Sequence, residues 1–180
     1  MNAIQIRSIR KQIKIFEKKD SFVPSFIPIL TQSMSVCILC EYQNDDQIRN
    51  ILDAINQYQG RLKRIRLLVY VPLKKNPPVL ERSLFIEPIT KNDINFFGKL
   101  KEEAKENLQS NHYDMFINSI TGSNTLLSDF FSIHLDADFK ITRSEESCRI
   151  YHLTLPLEPD ASFIYYLETI EKYTNRLNGK

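Results

Sequence analysis

The chain has 180 residues, 42% hydrophobic and 26% charged, with only 8 Pro and 4 Gly, which fits one folded core and excludes low-complexity disorder. Net charge is +2, but six basic residues against Glu17 and Asp20 put +4 on residues 1–20 and leave −2 on the rest. So bland a body argues against general nucleic-acid binding, three cysteines are too few for a disulfide framework, and no apolar run approaches the ~20 residues of a bilayer span.

Residues 2–19 place Ile6, Ile9, Ile13 and Phe16 at helical spacing, with Arg7, Arg10, Lys11, Lys14 and Lys18 on the other side. The pattern predicts a basic amphipathic helix docked on the domain; its second reading is an arm that contacts a membrane surface or a partner. Pro24 and Pro28 mark an extended connector, so residues 1–34 are expected to precede a single α/β domain at 35–180. With no signal peptide, a reducing cytoplasmic compartment is expected.

From Ser35 onward, short β-branched runs alternate with longer amphipathic stretches, which is the signature of βαβ units. The first strand, 36–42, is apolar on both faces, as a central parallel strand should be. It contains Cys37 and Cys40, a CxxC whose thiols diverge in a strand and therefore read as core residues rather than a redox pair. Asp45 or Asp46 is the expected N-cap of a helix with Ile48, Ile51, Leu52 and Ile55 on one face and Gly60 at its end. Strands follow at 64–73 and 84–89, then a turn at 91–97 capped by Asn92 or Asp93, a helix at 99–109 and a strand at 113–120. Thr121-Gly-Ser-Asn-Thr125 leads into a helix, two short strands are expected at 139–142 and 150–155, and Asp160 is the expected cap of a final helix. Right-handed crossovers then favour strand order 3-2-1-4-5-6 in a Rossmann-like, doubly wound, mainly parallel sheet of about six strands with helices on both faces.

In that order the first and fourth strands lie side by side, and their helices leave to opposite faces. Ligands bind at such a switch point. The expected ligand-binding residues are therefore Gln43 and Asn44 after the first strand, with Asn118, Thr121, Gly122, Ser123 and Asn124 at the end of the fourth. Thr121 to Thr125 offers free backbone N–H groups at a helix N-terminus, although the loop lacks any GxGxxG or GxxxxGK[ST] pattern. Glu41 would face it from the opposite strand. No GxSxG occurs, and His112, His134 and His152 show no metal-ligand spacing. His134, Asp136 and Asp138 sit where Asp is a normal turn former. No catalytic residue, metal or cofactor is assigned. The acid-free stretch with Arg61, Lys63, Arg64, Arg66, Lys74 and Lys75 reads as solvated strand flanks rather than a phosphate face.

The segment His112-Tyr-Asp-Met-Phe-Ile-Asn-Ser-Ile120, followed by its loop, helix and Ala137-Asp-Phe-Lys-Ile-Thr-Arg143, resembles an uncharacterised α/β family common in Bacteroidetes, a domain of unknown function. Ile94-Asn-Phe-Phe-Gly-Lys99 is similar to another block of that family, and together these cover about a third of the chain. The same segment is more weakly similar to the N-terminal Rossmann-like half of heptosyltransferase-like glycosyltransferases, in which a strand ending in an acid enters a small-residue loop and a later short strand has a basic end. Here Asn118 stands where the acid is expected, and 180 residues supply one of the two domains such enzymes use. The first resemblance implies no activity. The second implies a phosphorylated or nucleotide-sugar ligand at the switch point. The sequence thus reads as a binding or interaction module, with a small ligand-binding protein or enzyme as the alternative.

Overall fold

The structure is a computed structural model that describes residues 1–18, 24, 26–30, 35–58, 62–72, 85–147, 149–158 and 161–179. The described strands are β1 (Ser35–Glu41), β2 (Arg64–Tyr70), β3 (Ile86–Ile89), β4 (His112–Asn118), β5 (Asp136–Thr142) and β6 (Leu153–Thr154). They form one sheet in the order β3-β2-β1-β4-β5-β6, and every pair is parallel. The helices are α1 (Ala3–Glu17), α2 (Asp45–Asn56), α3 (Glu102–Gln109), α4 (Thr125–Ser132) and α5 (Phe163–Leu177). None of the described helices is long and apolar enough to cross a membrane.

Side-chain alternation along β1 divides the interior into two cores. Val36, Ile38 and Cys40 point to the layer of α2 and α5, where Ile48, Ile51, Ile55, Tyr166, Leu167 and Ile170 are buried. Cys37 and Leu39 point to the other face, covered by α1, α3 and α4 through Ile9, Ile13, Leu108, Leu127, Phe130 and Phe131. Burial pushes both thiols up to about 12, so they remain protonated core residues on opposite sides of the sheet.

α1 belongs to this interior. Ile9 and Ile13 are at most 1% exposed, and each such side chain contributes about 1.5–3 kcal/mol of burial free energy. The turn Asn95–Lys99 clamps the helix from the side: Gln5 Nε2 donates to Asn95 O at 3.0 Å and Gln12 Nε2 to Gly98 O at 2.7 Å. Gly98 has φ +74°, and a Cβ there would lie 2.8 Å from Gln5 O and 2.9 Å from Ser8 Cβ, so only glycine permits this contact.

Several expected boundaries shift. The N-cap of α2 is Asn44, whose Oδ1 accepts from Gln47 N at 2.8 Å, while Asp45 and Asp46 occupy the first turn, where their charge suits the helix dipole. Thr90 caps the short 3-10 helix Lys91–Asp93, and Asp93 bonds back to the Thr90 N–H. Ile94 and Leu100 form an isolated bridge, which delays α3 to Glu102. Ser162 caps α5; Asp160 and Gly60 lie outside the described residues. β5 begins earlier than expected, at Asp136, and β6 keeps only two residues.

Two arginines of the acid-free basic stretch are spent on structure, while Lys63 is exposed. Arg66 pairs with Glu87 on β3, and Arg64 donates to Asn111. Arg61, Lys74 and Lys75 lie outside the described residues.

Candidate functional site

Because β1 and β4 are neighbours while α2 and α4 cover opposite faces, the chain parts at their carboxyl ends. A cleft of about 480 Å³ opens there, between α2 and the start of α5. Gln43, Ser119 and Thr121 line its floor at the strand ends, Arg143 enters from the end of β5, and Gln47, Asn50, Asp53 and Gln57 form a polar stripe along α2. The opposite wall is the first turn of α5, where Ser162 Oγ takes the Tyr165 N–H at 3.3 Å.

Arg143 is held from three sides. Its backbone N–H donates to Asn118 O at 3.0 Å, its guanidinium lies over the Tyr166 ring at 5.9 Å, and Nη2 donates to Glu158 O. Its Nε is buried and has no hydrogen-bond partner among the described residues. A cation presented this way, beside the positive end of a helix, can receive an anionic or strongly polar group.

The residues expected at this point separate into three groups. Gln43 and Thr121 line the cleft. Asn44 is committed to capping α2, and Asn124 donates to Glu41 Oε1 at 2.8 Å, which ties the loop after β4 to the end of β1. Gly122 and Ser123 are exposed, and neither lines the cleft. Asn118 is fully buried on the opposite face, under α4: its Nδ2 donates to Ser128 Oγ at 3.0 Å and Tyr151 Oη at 2.7 Å, and its Oδ1 accepts from Ile120 N at 3.0 Å. Tyr151 in turn donates to Asp129 Oδ1 at 3.0 Å, and burial, reinforced by the Asp129 charge, holds its hydroxyl well above the usual phenol range.

Sequence reasoning missed Ser119, Arg143 and the α2 stripe. Arg143 did carry a signal, as the basic residue that closes β5. The stripe reads in sequence as an ordinary solvent face.

A second polar cluster lies at the amino ends of β4 and β5, the opposite end of the strands from the cleft. Register pairs His112 with Asp136, and the imidazole meets Asp136 through Nδ1 and Asp138 through Nε2, both at 3.1 Å. Two carboxylates on two ring nitrogens favour the imidazolium, so the His112 pKa is raised, chiefly by Asp136. His112, Asp114 and Asp138 also offer ligand atoms that lie within 4.8 Å of one another. Asp114 is already engaged: its Oδ2 takes the N–H and hydroxyl of Ser35. His134, by contrast, packs edge-on to Phe130, and burial lowers its pKa to about 4.

A model of the family described as a family of unknown function, DUF6913, matches residues 5–177. No curated protein and no solved structure matches the chain.

Proposed function

The chain belongs to DUF6913, a family of unknown function, and from its geometry we propose a non-enzymatic binding protein that takes a small phosphorylated molecule, of the sugar-phosphate or nucleotide-sugar class, in the cleft over β1, β4 and β5. The observation that carries this reading is Arg143, the one cation among the described lining residues, whose buried Nε has no hydrogen-bond partner among the described residues; amides, hydroxyls, the Asp53 carboxylate and a few apolar side chains make up the rest of the lining. A phosphate oxygen in the cleft would pair with the Arg143 guanidinium, and the first turn of α5 adds backbone N–H groups. The α2 amides can donate to and accept from the hydroxyls of a sugar. No His or Cys is among the described lining residues, and Asp53 on α2 is the one carboxylate there.

The test is thermal unfolding of the whole protein with a panel of mononucleotides, nucleotide sugars and sugar phosphates. A ligand at about 100 times its Kd should stabilise the fold by about 2.7 kcal/mol. In Arg143→Gln, compared with its own ligand-free state, that gain should shrink by about 1.4 kcal/mol or more, a tenfold loss of affinity. A flat response across the panel, or a gain untouched by Arg143→Gln, overturns the reading.

A further inference from the structure

The outward face of α1 carries charge of one sign. Arg7, Lys11, Lys14 and Lys18 recur at helical intervals along one line, with Arg10 beside them, and all five are exposed. Among the described residues none of them pairs with a carboxylate. Glu17, the only acid in the helix, is turned aside and accepts the Arg149 N–H at 3.0 Å.

Beside this line runs an apolar one. Ile4, Ser8 and Ile15 share a flank, and the two isoleucines are 53% and 52% exposed. Gly98 abuts Ser8, so the Asn95–Lys99 turn continues the same flank and holds out Phe96 and Phe97 at 61% and 66% exposure, with their rings edge-on at 5.6 Å. Scattered surface apolars are ordinary. Four of them gathered beside five unpaired cations are not. The inner face of α1 already supplies what the fold needs, through Ile9 and Ile13.

We propose that this face docks on an anionic lipid surface, with the five cations at headgroup phosphates and Ile4, Ile15, Phe96 and Phe97 entering the boundary with the acyl chains. Charge complementarity selects an anionic partner, and the apolar flank selects a bilayer. A nucleic-acid backbone would use the cations, and bases could stack on the phenylalanines, but neither gains from burying two isoleucines. Because α1 covers the face of the sheet opposite α2 and α5, docking leaves the cleft toward solvent.

The experiment is flotation of the full protein with phosphatidylcholine vesicles containing about 30 mol% phosphatidylglycerol, against pure phosphatidylcholine. The protein should float with the anionic vesicles only, and partition should fall about tenfold or more between about 0.1 and 0.5 M salt. Reversing Lys11, Lys14 and Lys18 to Glu should lower partition at least about tenfold. Phe96→Ser with Phe97→Ser should lower it about tenfold while leaving the steepness of the salt dependence unchanged. These side chains are exposed, and circular dichroism melting verifies that the variants stay folded. The proposal fails if anionic vesicles do not bind, if neutral vesicles bind equally, if the Phe pair has no effect, or if a single-stranded oligonucleotide binds more tightly than the vesicles.

Discussion

The ammonium of Lys140 on β5 lies 2.6 Å from the carbonyl oxygen of Ser132 at the end of α4, so the strand closes the helix that precedes it. A second bond reaches Leu135 O at 2.8 Å, and the Phe16 ring of α1 lies 5.1 Å away on another side. At 4% exposure, burial lowers the amine from its ordinary 10.5 to about 8.

The unfolded chain therefore keeps a proton that the folded chain releases between about pH 8 and 10.5. Stability in that window should rise with pH by about 1.4 kcal/mol per unit from this group. Cys37 and Cys40 act in the opposite sense above about pH 9, so the clean measurement is the wild type minus Lys140→Met difference in denaturant unfolding. That difference should grow in favour of the wild type from about pH 8 to about pH 10, and a flat difference would show that the amine is not desolvated.

At Asn118, replacement by the nearly isosteric Asp removes both amide donors and puts a second carboxylate into the network that holds Asp129. The cost should be about 3 kcal/mol, read as a lower urea midpoint near neutral pH. A variant as stable as the wild type would mean that the network does not require the amide.

His112 should titrate above its ordinary 6.5, and Asp136→Asn should lower its pKa more than Asp138→Asn does. Its contribution to stability is complete below 6.5 and is lost as pH rises through the folded value. An NMR titration of the imidazole in the three proteins checks both statements, and equal effects of the two substitutions would contradict the ranking.

Ile9→Ala and Ile13→Ala should each destabilise the whole protein by about 2–5 kcal/mol in one cooperative transition, because each leaves a cavity between α1 and the sheet. If residues 1–34 were a separable arm, the main transition would not move.

The strand order and the switch point were legible because β1 alternates two apolar faces and the runs around it alternate in period. Helix caps slipped by one or two residues because Asn, Asp and Ser offer the backbone the same acceptor chemistry, as Asn44 before Asp45 illustrates. Two of the seven expected residues line the cleft. Gln43 and Thr121 follow from strand order alone, whereas Arg143 and the α2 stripe become its lining only once α5 returns across β5 to face α2. The His112 cluster depends on the β4–β5 register, which pairs residues 24 apart in a way that no local spacing records.

β1 is flanked by β2 and β4, and β4 arrives only after α2, β2, β3 and α3 have been laid down. During synthesis the middle of the sheet therefore keeps a bare edge, and α1 lacks its α4 wall, until well past the midpoint of translation. A ribosome that stalls before residue 112 thus leaves one edge of the apolar strand β1 unprotected, and the nascent chain depends on speed or on a chaperone until β4 emerges.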